Sequence, residues 1–292
     1  MTSDTADRFE NGDVDEASLL ARSGYVLGDK LGSGSYSKVA LVTKGGLAYA
    51  CKIVSTKLTS RSYRVKFLPR ELVILGRVRH PHIVRVFKII HEANRVFIIM
   101  EPALGGNLFV LVSTKGRLPE LKAHELFVQL ACAVAYLHRH DIAHRDLKCE
   151  NVLLSHEGIV KLTDFSFSRY CDDPDHKGQK LMSDTYCGSE AYAAPEVLKG
   201  VRYLPKKADM WSLGAMLFVM VTGALPFDEG NLARQIRQQM TRTVRFPRHL
   251  EVTPELTNLV RLLLEPVPSA RGTMGRLVNH PWMRMYPDPL KK

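Results

Sequence analysis

Residues 142–165 read Ile-Ala-His-Arg-Asp-Leu-Lys-Cys-Glu-Asn-Val-Leu-Leu-Ser-His-Glu-Gly-Ile-Val-Lys-Leu-Thr-Asp-Phe. His144, Arg145, Asp146, Lys148 and Asn151 precede two short apolar runs, and Asp164 follows them. The runs, 152–154 and 159–162, flank a turn at 155–158, which is the pattern of a β-hairpin. A hairpin carrying its polar groups at its open ends brings Asn151 and Asp164 together. An amide oxygen beside a carboxylate is a hard oxygen pair of the kind Mg²⁺ accepts. Asp146, five residues before Asn151, then faces a nucleophile. Such an arrangement suits movement of a phosphoryl group.

Two other stretches fit the same chemistry. Gly32-Ser-Gly-Ser-Tyr-Ser-Lys-Val39 lies between two strand-like runs, 25–31 and 38–43. Glycines let a backbone close tightly and turn its N–H groups toward phosphates. Lys52 sits in an apolar strand, 48–55, where an unpaired ammonium is costly. Glu71 is the only acid between Asp29 and Glu92, so it is the partner available in this part of the chain. It falls in a helix-like segment, 61–78, whose Phe67, Leu68, Leu72 and Leu75 recur at helical spacing, with Pro69 expected to bend the first turns.

The rest of the chain must position these groups. Its 292 residues are 45% hydrophobic and 24% charged, which suits one large domain or two lobes with a full core. Residues 1–24 read as a disordered acidic tail, with six acids and one arginine in the first twenty. No signal peptide is expected, and the longest apolar stretch, 213–227, is broken by Gly214, Gly223 and Pro226 and is too short to span a bilayer. Five cysteines without metal spacing point to a reducing, cytoplasmic setting. The net charge of +11 lacks aromatic-basic interleaving, so a phosphate-binding, solvated basic face is read in preference to a nucleic-acid surface. Strands at 84–90 and 95–100 complete a five-stranded antiparallel sheet. A Gly/Pro break follows, then a core helix at 120–140, at whose end His138 and His140 suit the helix dipole.

The run His144–Asn151 and the pair Asp164-Phe165 resemble the catalytic loop and metal-binding segment of the eukaryotic protein kinases. The resemblance covers about residues 25–285. It implies an α+β, bilobal fold: a small lobe of a five-stranded antiparallel sheet plus one helix (25–101), a hinge (102–107), a larger mainly helical lobe (108–285) and a short tail (286–292). It implies ATP and Mg²⁺. Leu31, Gly32, Ser33, Gly34, Val39, Ala50, Lys52, Met100 as gatekeeper, and the backbone of Glu101 and Ala103 would hold the nucleotide. Glu71 would hold Lys52, and Asn151 and Asp164 the metal. Asp146 would accept the substrate hydroxyl's proton, and Lys148 would neutralise the γ-phosphate, with Ser189 lining the site beside them. Thr185 would be a phosphosite pairing with Arg145. Asp209 would bind the catalytic-loop backbone, and Arg271 would pair with Glu196. The chain would act on Ser/Thr of protein substrates as a monomer, with an upstream activating kinase and with neither nucleic acid nor membrane as partner.

Residues 164–168, Asp-Phe-Ser-Phe-Ser, with residues 187–196 and the short C-terminus, look like the testis-specific serine/threonine kinases, which implies a role in male germ cells; because the sequence stops soon after His280-Pro281-Trp282, no C-terminal regulatory domain is expected. Ser37 and Ser166 stand where the wider family has glycine. Ser166 is expected to restrict backbone motion and to add a hydrogen bond. These departures motivate an alternative, a pseudokinase scaffold that binds nucleotide without efficient transfer. Asn107, Glu150 and Val219 occupy positions at which kinases selecting arginine usually carry acids, so only a modest basic preference is expected.

Overall fold

The computed structural model describes residues 15–34, 37–172, 180–185, 187–228, 230–241 and 244–286. The chain divides into two compact units, Met1–Gly76 with Val84–Ala103, and Arg77–Ile83 with Leu104–Lys292.

The first unit begins with a departure from expectation. Residues 1–14 of the acidic tail lie outside the described residues, but Glu16–Ala21 form a helix, α1. The Asp15 carboxylate caps it, accepting from the N–H of Ala17 at 3.1 Å and Ser18 at 3.3 Å. Leu19 and Leu20 are buried with Tyr25, Val42, Cys51, Ile53, Ile90, Phe97 and Ile99. Glu16 reaches Lys38 at 2.6 Å and Arg95 at 3.3 Å. Two leucines in a polar stretch are too few to show a helical period. The surface that makes them core residues is assembled from strands that follow in sequence. Leu20→Ala is expected to destabilise this unit by about 2–4 kcal/mol through the cavity it leaves, read as a lower midpoint in a thermal melt.

The sheet uses β1 (Val26–Ser33), β2 (Ser37–Lys44), β3 (Leu47–Ser55), β4 (Val86–Glu92) and β5 (Arg95–Met100), in the order β1-β2-β3-β5-β4, with every pair antiparallel. Lys44 pairs with Leu47 across a two-residue turn whose Gly45 and Gly46 have φ of 57° and 78°, the conformation that matches strand twist in a tight hairpin. Between β3 and β4 the expected helix is split. Tyr63–Phe67 form a π-turn, and Leu68–Arg77 form α2. Pro69 has no N–H and its ring crowds the preceding turn, so the wider π-turn accommodates it.

The second unit is mainly helical: α3 (Leu108–Lys115), α4 (Glu120–Arg139), α5 (Pro195–Leu198), α6 (Pro205–Thr222), α7 (Leu232–Met240), α8 (Pro254–Leu263) and α9 (Met274–Val278). Asn107, expected in the hinge, caps α3 by accepting from the Val110 N–H at 2.9 Å. Along α4, Leu126, Leu130, Val134 and Leu137 are buried. Two short antiparallel pairs complete the unit, β6 (Ile142–Ala143) with β9 (Arg169–Tyr170), and β7 (Val152–Leu154) with β8 (Val160–Leu162). The second pair is the hairpin expected from the sequence. Its turn is closed by Ser155 Oγ, which accepts from the Glu157 and Ile159 N–H groups. Among the described residues no helix is long and apolar enough to cross a membrane.

Candidate active site

In the second unit the loop between β6 and β7 is held by a buried aspartate from α6. Asp209 Oδ2 accepts from the His144 N–H at 2.9 Å, and Oδ1 from the Arg145 N–H at 2.8 Å. His138 also reaches Asp209 Oδ2 at 2.9 Å. It is therefore a buried partner of this carboxylate and not the dipole-compensating cap expected from its place at the helix end. His140 lies against the Tyr136 carbonyl at 2.8 Å. The Asp146 N–H donates to His144 Nδ1 at 3.3 Å, so Nε2 carries the proton and donates to the Thr163 carbonyl at 3.0 Å. One imidazole thus ties the loop to the residue before Asp164. Arg145 is in the left-handed region at φ 67° and Asp164 at φ 61°. Non-glycine residues hold that conformation where surrounding contacts over-determine it.

Asp146 is 5% exposed and surrounded by donors. Oδ1 accepts from the Ser189 N–H at 2.9 Å and its Oγ–H at 3.1 Å. Oδ2 accepts from Asn151 Nδ2 at 3.1 Å and lies 3.1 Å from Lys148 Nζ. Lys148 Nζ also donates to Ser189 Oγ at 2.8 Å. Gly188 makes the approach of residue 189 feasible. Its φ is 92°, and a Cβ there would stand 2.6 Å from the Arg145 carbonyl. Burial pushes the neighbouring Cys149 thiol up to about 12, and also raises that of Cys187, so neither is a ready nucleophile at neutral pH.

Asn151 spends its amide nitrogen on Asp146, donating to the carbonyl at 2.8 Å as well as to Oδ2, which turns its Oδ1 the other way. Its own carbonyl accepts from the Thr163 N–H at 3.0 Å, bringing Asp164 to the same end of the hairpin. Among the described residues there is no cluster of three His, Cys, Asp or Glu side chains able to hold a metal. An Asn oxygen and an Asp carboxylate alone fit Mg²⁺, which keeps waters and completes its shell with substrate phosphates. Ser166 Oγ donates to Asp164 Oδ1 at 2.6 Å, a short charge-assisted bond. Ser166→Gly is expected to lower kcat/KM for Mg-ATP about tenfold, since both the bond and the backbone restraint are lost. Ser166→Ala, which keeps most of the restraint, separates the two contributions in the same assay.

Arg145 is buried and engaged. Nε donates to the Phe167 carbonyl at 2.7 Å, and Nη1 donates to Ser183 Oγ at 2.6 Å. Ser183 Oγ also accepts from the Thr185 N–H at 3.3 Å. Sequence reading had no means to find Ser183, one hydroxyl in a polar stretch, whose strand-like bridge to Tyr203 buries it fully. Residues 173–179 and 186 of this stretch lie outside the described residues.

In the first unit Lys52 Nζ lies 2.7 Å from Glu71 Oε1, with Glu71 buried in α2. Lys52 is the register partner of Val39, and Ala50 pairs with Met100. These four residues therefore occupy neighbouring positions across β2, β3 and β5. Leu31, Gly32 and Ser33 close β1, and the Gly34 N–H donates to the Ser37 carbonyl at 2.7 Å. Residues 35 and 36 at the loop tip are outside the described residues. Beyond β5 the Glu101 N–H donates to the Arg85 carbonyl at 2.9 Å, and Ala103 ends the unit.

A sheet carrying a lysine–glutamate pair, together with a loop that presents an aspartate, a lysine and an asparagine beside Asp164, defines a protein kinase. Residues 25–283 match the protein kinase domain family. Human testis-specific serine/threonine-protein kinase 1 is 42% identical over 274 residues, 93% of this chain and 74% of that protein. Mouse testis-specific serine/threonine-protein kinase 3 is 40% identical over 269 residues, 91% of this chain and 98% of that protein. CBL-interacting protein kinase 30 of Oryza sativa subsp. japonica is 38% identical over 268 residues, 91% of this chain but 55% of the relative. The chain belongs to the protein kinase family and, within it, to the serine/threonine kinases of the testis-specific group. It is a protein serine/threonine kinase, with ATP as cosubstrate and Mg²⁺ as the family's metal.

Proposed function

We propose that this kinase is catalytically active and transfers the γ-phosphate of ATP to Ser/Thr hydroxyls of protein substrates. The observation that carries this reading is the donor set around Asp146, which holds both carboxylate oxygens in place before substrate arrives. Asp146 orients the incoming hydroxyl and accepts its proton. Lys148, anchored on Ser189, offsets charge on the transferring phosphoryl group. Lys52, held by Glu71, binds the α/β-phosphates. The backbone at Leu31–Gly34, Val39, Ala50, Met100, and the main chain of Glu101 and Ala103 hold the nucleotide. Asn151 and Asp164 hold Mg²⁺, which when bound neutralises phosphate charge. The remainder is positioning, which this chain provides by fixing its groups beforehand. Intact Lys52, Glu71, Asp146, Asn151 and Asp164 favour this over a pseudokinase scaffold.

Regulation follows from Thr185. Phosphate there, placed by an upstream kinase or by the chain itself, would pair with Arg145. What supports it is Ser183, a shared neighbour of the Arg145 guanidinium and the Thr185 backbone. A role in male germ-cell development is supported by the testis-specific names of its relatives, and the same reading makes the chain a cytoplasmic monomer without nucleic-acid or membrane partners. Substrate choice shows only a modest basic preference. Asn107 is spent on its helix cap and Val219 is buried, which leaves Glu150 as the exposed acid among the three positions. Transfer from Mg-ATP to a basic protein, with phosphate recovered on Ser and Thr, tests the activity. A peptide array tests selectivity, and strong arginine selection two or three residues upstream would overturn that part.

A further inference from the structure

The Lys52–Glu71 pair accounts for one oxygen of a fully buried carboxylate. The other, Oε2, accepts from the hydroxyl of Tyr63 at 3.1 Å. Tyr63 opens the π-turn, eight residues before Glu71. On a regular α-helix that spacing leaves two side chains about 80° apart around the axis. In the π-turn each N–H reaches back five residues, as Leu68 N–H does to the Tyr63 carbonyl. Each residue there turns through a smaller angle, which returns Tyr63 toward the face that carries Glu71. The turn that Pro69 requires is thus also the turn that aims this hydroxyl.

Tyr63 is itself held from several sides. Its N–H donates to Ser60 Oγ at 3.1 Å, a cap on the first turn. The next residue, Arg64, donates from Nη1 to the Thr56 carbonyl at 2.9 Å and from its N–H to the Ser60 carbonyl at 3.1 Å. The Tyr63 ring stacks on Phe67 at 6.4 Å with 24° between planes. A half-buried tyrosine fixed in this way presents its O–H as a stationary donor.

We infer that Tyr63 is a positioning residue for phosphoryl transfer, gripping Glu71 by its second oxygen so that the first stays on Lys52. A carboxylate bonded at one oxygen can rotate about its terminal torsion, which is broad and soft. One bonded at both oxygens cannot rotate without breaking a bond. The role assigned to Tyr63 is exerted through Glu71 on Lys52. The inference rests on the role proposed above for that pair.

The test compares Tyr63→Phe with Glu71→Gln in the full chain. Phenylalanine keeps the ring and its stack and removes only the hydroxyl. The expected result is a fall in kcat of about tenfold, the scale of one hydrogen bond to a charged group, with KM for the protein substrate unchanged and the loss persisting at temperatures well below the variant's melting midpoint. Glu71→Gln should lose considerably more activity, since Lys52 then lacks its counter-charge. If Glu71→Gln is impaired while Tyr63→Phe matches the parent, the inference fails and the pair's role stands. If Glu71→Gln retains full activity, the role of the pair fails, and the inference with it. A lower melting midpoint in Tyr63→Phe with kcat intact would mark the hydroxyl as structural and also overturn the inference.

Discussion

Asp146→Asn is expected to reduce phosphate transfer by about 10³-fold or more, the upper range for a positioned proton acceptor, while nucleotide still binds. The reason lies in the donor set. Both oxygens of Asp146 accept, from Ser189 on one side and from Asn151 and Lys148 on the other. An asparagine has one acceptor oxygen, so its amide N–H₂ must point at one of these donors. The variant therefore loses its proton acceptor and also turns away from the position at which a substrate hydroxyl would be received. Side-by-side assays of transfer, ATP binding and melting temperature separate the two losses from unfolding. Undiminished transfer in the variant would remove Asp146 from its assigned role. If the parent binds ATP and transfers nothing, repeating the assay after phosphorylation at Thr185 distinguishes a kinase awaiting activation from a scaffold.

The second large effect is on stability. Arg271 is fully buried, and its guanidinium meets Glu196 through Nη1 to Oε1 at 2.6 Å and Nη2 to Oε2 at 2.8 Å. It also donates to the carbonyls of Glu265 and Lys207 at 2.8 Å each, and lies over the Trp211 ring at 5.1 Å. Arg271→Ala leaves the buried Glu196 carboxylate without its cation and removes the guanidinium donors from the carbonyls of Glu265, Lys207 and Pro266. The expected cost is about 3–5 kcal/mol, as for other buried pairs with one partner removed, set against a total stability of about 5–15 kcal/mol for a typical domain. The variant should melt several degrees lower or accumulate as insoluble chain. Arg271→Lys, which keeps charge but not the bidentate fork, should recover only part of the loss. A melting temperature within a degree of the parent in Arg271→Ala would contradict this account.

Much of both sites could be read before any coordinates. In the first unit β3 and β5 read as largely apolar runs and Gly45-Gly46 mark the turn between β2 and β3, and the hairpin at 152–162 announces its turn with Ser155 and Gly158. Asp146, Asn151 and Asp164 stand at spacings that the hairpin converts into proximity. Sequence and structure part where side chains find partners distant in sequence. His138 looked like a helix cap because only its own helix was visible, whereas its partner Asp209 is 71 residues away. Helix α1 looked like a tail because Leu19 and Leu20 are buried by strands 20 to 80 residues further along. Ser183 carried no signal, since one hydroxyl among many becomes distinctive only when Arg145 is folded against it.

By itself the sequence determined which chemical groups are present and which sit within one turn or one hairpin of each other. Local backbone preference and short spacing are enough to specify that. The tertiary structure decided which groups are satisfied. It put four donors on Asp146, a hydroxyl on the second oxygen of Glu71, and Ser183 on Arg145. Burial makes an unpaired polar atom expensive, and the partner that meets it is selected by packing among elements far apart in the chain, which no local pattern encodes.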